Sequence, residues 1–161
     1  MPTNSVFISH SSADRVFVET VLLPALDSAG IASWYSPNDI KSSDDWGRSI
    51  REGLESAEWF LLVMSPRSQA SEWVRDEVMW AVEQRAGRIV PIMVESCDPR
   101  AIHIRLARIQ NVDLRTAPDE GITRLLELLG VGPSGRRAST SERSIRACRL
   151  APLLLRRAAG L

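Results

Sequence analysis

The sequence predicts an α/β domain, a five-stranded parallel sheet with helices on both faces. Three observations carry this. Short apolar runs alternate with amphipathic, helix-period segments along the whole body of the chain, the pattern that builds strand–helix–strand units. One run, Trp59-Phe60-Leu61-Leu62-Val63-Met64, is almost unbroken, as a central strand covered on both faces must be. The stretch Ser71 to Val82 has the period of a single amphipathic helix. With about 100° per residue and Val74 at zero, Ala81, Val78 and Val82 fall within roughly 80°, while Glu72, Asp76 and Glu83 gather opposite.

In chain order, Val6-Phe7-Ile8 is a buried strand closed by the small polar loop Ser9-His10-Ser11-Ser12. Asp14 caps a helix carrying Val16, Phe17, Val21, Leu22, Ala25 and Leu26, with Gly30 as its stop and Pro24 expected to bend it. Ile31 to Tyr35 is a second strand, broken by Ser36-Pro37-Asn38-Asp39. Asp44 or Asp45 caps a second helix with Trp46, Ile50 and Leu54 on one side. After the strand at Trp59–Met64, Ser65-Pro66 opens a loop leading to the helix from Ser71. Arg88 to Val94 is a fourth strand whose Pro91 lacks an amide donor, which predicts a place near a sheet edge. Asp98-Pro99 opens a short helical piece to Ala107, Ile109 to Leu114 is a fifth strand, and Ile122 to Leu129 is a last helix stopped by Gly130.

Right-handed crossovers put every strand-to-helix loop on one rim of the sheet. Those loops are 9–12, 36–45, 65–71 and 95–98, and ligands of such sheets sit at that rim.

The chain has 161 residues and 44% hydrophobic content, enough for one domain with a sizeable core. Residues 1–130 form that domain. From Val131 the composition turns to Gly, Pro, Ser and Arg, a linker and basic tail over 131–161 in which Ile145 to Leu155 fits a short amphipathic helix. Seven arginines against Glu142 give the tail +6, so the zero net charge leaves the body at −6. An acidic body argues against a nucleic-acid surface on the folded domain. No apolar run reaches the ~20 residues of a membrane span, and Met1-Pro2-Thr3-Asn4-Ser5 is unlike a signal peptide, so a cytoplasmic location is expected. Cys97 and Cys148 have no ligand-like spacing and are expected to be reduced thiols, with no metal site.

No phosphate-cradling glycine loop is present, which argues against ordinary NTPases and dehydrogenases. No Gly-x-Ser-x-Gly elbow occurs, and His10 and His103 lack an evident nucleophile partner. What stands out is Glu77. It lies about 60° off the core stripe, and its neighbours three and four positions away are Trp73, Val74, Trp80 and Ala81. No Lys or Arg of that helix can pair with it. Such an acid is either a snorkelling surface residue or a group placed for work. His10 and the serines beside it, Ser9, Ser11 and Ser12, make either a plain loop or a set of donors for a phosphate or ribose. Trp46 either anchors the core or stacks on a flat ring.

These residues resemble a known family. Val6 to Asp14, Gly30 to Tyr35, Asp44-Asp45-Trp46, Leu62 to Pro66, Ser71 to Glu77 and Ile89 to Ile92 look like the successive boxes of a Toll/interleukin-1 receptor (TIR) domain of the bacterial type. The likeness runs in order over residues 4 to 130 and implies a flavodoxin-like sheet. Family members are either scaffolds that self-associate through TIR-to-TIR contacts or enzymes that cleave NAD+ to nicotinamide and a linear or cyclic ADP-ribose. In the enzymes the catalytic acid is a glutamate four residues after a tryptophan on the third helix, which Trp73 and Glu77 match. The loop from Ser36 to Trp46 resembles the family's BB loop, which gates the nucleotide pocket and makes assembly contacts. Ser36 stands where bacterial relatives often carry an acid, and Ser42-Ser43 where a glycine is common. The resemblance implies Glu77 as catalytic residue and Ser9, His10, Ser11, Trp34, Asp45, Trp46 and Trp73 as substrate-binding residues. It also implies NAD+ as substrate with no cofactor, and a part in bacterial immune signalling or anti-phage defence. The alternative is a non-enzymatic interaction module, a scaffold or a host-mimicking effector.

Overall fold

The structure, a computed structural model, describes residues 4–35 and 44–132, with the backbone alone for 44–46. The expected linker and tail fall almost wholly on residues 133–161, outside the described residues.

Five parallel strands form one sheet: β1 (Ser5–Ser9), β2 (Ala32–Tyr35), β3 (Trp59–Met64), β4 (Ile89–Met93) and β5 (Val112–Asp113). Their order across the sheet is β2-β1-β3-β4-β5. Helices α1 (Arg15–Phe17), α2 (Leu23–Ser28), α3 (Asp44–Ser56), α4 (Pro66–Ala70), α5 (Glu72–Gln84), α6 (Pro99–Ile102) and α7 (Pro118–Leu128) connect and cover it.

Strand side chains alternate between faces, and the sequence fills both. Val6, Ile8, Leu61, Val63, Val90 and Ile92 point to one side, where Val18, Leu22, Leu26 and Leu125 pack on them. Phe7, Phe60, Leu62, Met64 and Met93 point to the other, against Leu54, Val74, Val78, Ala81 and Val82. Phe7 stacks on Phe60 across the ladder, centroids 5.8 Å apart. Each such side chain contributes about 1.5–3 kcal/mol by leaving water. The double-sided burial of β3 is therefore the centre of the fold.

A π turn at Val18–Leu22 stands between α1 and α2, and Pro24 lies in the first turn of α2. There the Leu23 N–H bonds the Val18 carbonyl, so the ladder widens just before the residue that has no donor. Gly30 ends α2 as expected. It takes φ +72°, and its N–H bonds Asp27 O while Ile31 N–H reaches back to Leu26 O, a Schellman closure.

Three expectations need correction. The strand carrying Pro91 is interior, between β3 and β5. Val94 N–H bonds Met64 O on the β3 side, whereas Leu114 N–H bonds Met93 O on the β5 side. By the strand's alternation Pro91 faces the same way as Met93, and pairing with β5 begins only at Ile92. The missing donor is directed where no ladder runs. The fifth strand shrinks to Val112–Asp113, because Ile104–Arg108 forms a 3-10 turn closed by Ile109 N–H on Leu106 O. The last helix starts early, at Pro118. Gly121 lies within it: a Cβ there would lie 2.1 Å from Leu114 Cδ2, so the glycine lets α7 approach β5.

Candidate active site

The chain leaves β1 for β2 on one side and returns to β3 on the other. The loops after β1 and β3 diverge at that point, and the crevice beyond the carboxyl ends of the strands is where this sheet order binds ligands. Ser9 is the last residue of β1, His10 and Ser11 follow it, and Ser65 follows β3. Helix α5 runs over the same end of the sheet. Its start is fixed by Ser71, whose side chain accepts the Val74 N–H at 3.3 Å.

Glu77 is on the second turn of α5 and is buried, 5% exposed. The Ser9 hydroxyl donates to its Oε2 at 2.5 Å. Oε1 is buried with no hydrogen-bond partner. Burial pushes the carboxyl up to about 8, against the opposing pull of the Ser9 hydroxyl and the Trp73 indole N–H, with Asp76 adding to the rise. Trp73 stands one turn earlier on the helix and faces the carboxyl without making a hydrogen bond of normal geometry to Oε1. Among the described residues no arginine or lysine forms an ion pair with Glu77. A buried acid with a free oxygen and no cation beside it favours positive charge arriving from outside.

The first loop is built around buried polar groups. His10 is fully enclosed, its Nδ1 3.5 Å from the Ile8 carbonyl and its ring tilted on Tyr35 at 5.9 Å. Burial is the main cause that lowers its pKa from 6.5, so the imidazole is neutral at neutral pH. The Ser11 hydroxyl accepts the Ala13 N–H at 3.4 Å and caps the following turn.

Sequence reasoning read Asp14 only as a helix cap. It is buried, and its Oδ2 accepts the Ser65 hydroxyl at 2.5 Å while Arg67 Nε donates to Oδ1 at 2.7 Å. Arg67 also pairs with Glu95 at 2.8 Å, so one guanidinium ties together the loops after β1, β3 and β4. Ser65 caps α4 in a box with Ser68, which turns an expected loop into a helix. The only signal for this set was that Asp14 and Ser65-Pro66-Arg67 follow strands at one rim.

The structure brings Ser9, Trp73 and Glu77 together and sets His10 and Ser11 beside them in sequence. Trp34 is placed against α3, close enough that a Cβ on Gly53 would lie 2.8 Å from its ring. The side chains of Asp45 and Trp46, and the loop 36–43 before them, lie outside the described residues. His103 caps the 3-10 turn through Arg105 N–H, 3.2 Å from its Nδ1. Among the described residues no group of three or more His, Cys, Asp or Glu side chains could hold a metal ion.

Comparisons with known proteins match this architecture. The chain is 31% identical over 94 residues to the NAD(+) hydrolase PdTIR of Paracoccus denitrificans, covering 56% of this chain and 31% of that one. It is 33% identical over 73 residues to the NAD(+) hydrolase TcpA of a Theionarchaea archaeon, covering 45% and 22%. To the 2' cyclic ADP-D-ribose synthase BtTIR of Bacteroides thetaiotaomicron it is 29% identical over 86 residues, covering 52% and 30%. The matched stretch thus spans less than a third of each of these relatives. Among solved structures, the TIR domain of the Toll-related receptor TRR-2 from Hydra magnipapillata superposes with TM-score 0.58 at 21% identity, covering 75% of this chain and 89% of that one. The TIR domains of the activated Roq1 resistosome give 0.59 at 18%, covering 77% and 98%. The TIR domain family model matches residues 6–126. With a parallel sheet in the order β2-β1-β3-β4-β5 and that match over most of its length, this chain belongs to the TIR domain family.

Proposed function

We infer that this protein cleaves the nicotinamide–ribose bond of NAD+, with Glu77 as the catalytic residue. The observation that carries the reading is the Glu77 carboxyl, buried at the β1/β3 switch point with one oxygen lacking a partner. Three relatives at 29–33% identity, named as NAD+ hydrolases or a cyclic ADP-ribose synthase, support it.

The chemistry suits so sparse a site. Heterolysis of the C1′–N bond sends the electron pair to the pyridinium nitrogen, so nicotinamide leaves neutral and needs no general acid. C1′ is left as an oxocarbenium-like centre, which a carboxylate stabilises by charge or by holding the ribose hydroxyls. Water then adds to C1′ and loses a proton, giving ADP-ribose; attack by another hydroxyl of the same molecule gives the cyclic product. The arriving cationic ring favours the ionised form of Glu77, and apolar flanks exclude water that would screen the attraction.

The test is nicotinamide release from NAD+ by purified protein, from dilute to high concentration because self-association is expected of the family, with products resolved as linear or cyclic. Glu77→Gln should lower turnover by a factor of at least about 10² with the fold retained. Full turnover by the Gln variant would remove Glu77 from the mechanism. Unchanged NAD+ at every concentration would leave a docking module. Where turnover holds, we place it in bacterial immune or anti-phage signalling, by NAD+ depletion or by a nucleotide product.

A further inference from the structure

We propose that Ser9 is a positioning residue for Glu77: its hydroxyl holds Oε2, fixes the rotation of the carboxyl, and leaves Oε1 as the oxygen presented to the ribose. The proposal deepens the NAD+-cleaving reading and rests on it.

The two oxygens of Glu77 are not equivalent. Oε2 accepts the Ser9 hydroxyl at 2.5 Å, and Oε1 is enclosed with no partner. The donor and the acceptor come from elements that nothing local connects, the last residue of β1 and the second turn of α5. Both are buried, Ser9 at 1% exposure and Glu77 at 5%. A glutamate carboxyl, left alone, turns about its broad, roughly two-fold terminal torsion and points either oxygen outward. One buried hydrogen bond to a backbone-anchored serine selects a single rotation. Serine suits the task because its side chain is short, and β1 is pinned on both sides by β2 and β3.

The same bond bears on ionisation. Ser9 and the Trp73 indole oppose the rise that burial imposes on Glu77, while Asp76, the charged group acting on it, adds to that rise. His10, next to Ser9, is held toward neutral by burial. Removing the Ser9 hydroxyl leaves burial less opposed, so Glu77 ionises only at higher pH.

The experiment measures kcat and KM for nicotinamide release across pH in the full chain, for wild type, Ser9→Ala and Ser9→Cys. A shift of one unit corresponds to about tenfold in ionised fraction. Ser9→Ala should therefore lose about tenfold in kcat at pH 7, with KM changed less than about twofold, and recover as pH rises. Ser9→Cys, a weaker donor of similar size, should lie between, and it carries the readout if Ser9→Ala does not fold. The carbon-13 titration of the Glu77 carboxyl, assigned by its loss in Glu77→Gln, should move to higher pH in step. A loss equal at all pH values, with a lower melting temperature and an unmoved titration, would show Ser9 to be structural only. Unchanged kcat and pH profile in an active protein would overturn the positioning role alone. A wild type inert toward NAD+ would overturn the proposed function and this role with it.

Discussion

A carboxyl whose ionisation burial opposes ties folding to pH. Glu77 sits near 8 in the fold against an ordinary 4.5. Below 4.5 both the folded and the unfolded chain hold the proton. Between those values only the folded chain holds it, so stability falls as pH rises, by up to about 1.4 kcal/mol per unit, and levels off once the folded carboxyl ionises. Glutamine cannot ionise. Glu77→Gln should thus melt close to wild type at pH 5 and progressively above it toward pH 8, in thermal melts across pH. A gap that stays constant from pH 5 to pH 8 would show that Glu77 is ionised throughout. The helical wheel placed this acid on an apolar shoulder, and that much was legible. Its depth was not, because what covers it is the end of β1, and no spacing within α5 reports on Ser9.

Among the elements, α3 and α5 share the core on one face of the sheet and are also tied by one polar side chain. Arg85, at the end of α5, donates to the carbonyls of Glu55 at 2.7 Å and Ala57 at 3.2 Å beyond the last turn of α3, and its guanidinium lies over Trp80 at 5.2 Å. Those carbonyls are the orphans of a helix end. Arg85→Ala should cost about 1–2 kcal/mol in chemical denaturation, with Arg85→Lys recovering only part of it because an ammonium cannot match the fork. Two glycines mark close approaches between elements. Gly121→Ala would bring a methyl to 2.7 Å from Asp113 O, and overpacking of this kind costs about 1–3 kcal/mol. Gly53→Ala would press on the Trp34 ring. Gly121 meets Asp113 and Leu114 at the end of β5, and Gly53 meets the Trp34 ring of β2, packing that helical periodicity does not report.

For the molecule as a whole, a parallel sheet with helices on both faces was readable from the alternation of apolar runs, whereas the interior place of β4 was not. Nor was the side-chain lacing of the rim. Asp14, Ser65, Arg67 and Glu95 come from separate loops and meet only once the sheet has formed. Asp14→Ala should cost about 2–3 kcal/mol, since it strands the buried Ser65 hydroxyl. Arg67→Ala should cost less, about 1 kcal/mol, because the guanidinium is 42% exposed and its pair with Glu95 is screened, while the buried Asp14 loses a donor at Oδ1 but keeps the Ser65 hydroxyl at Oδ2. Denaturation midpoints of the two variants give the comparison, and equal losses would place the strength of the lacing in the ion pair. Among the described residues no helix is long and apolar enough to cross a membrane.

Pro91 and the two-residue β5 have a joint effect on how the molecule meets its own kind. An intruding strand that displaced Val112–Asp113 would find a gap in the donor row at Pro91 and could zip up over only a short distance. That flank is therefore a poor template for runaway stacking of chains, even though two fully apolar strands, β3 and β4, lie directly behind it.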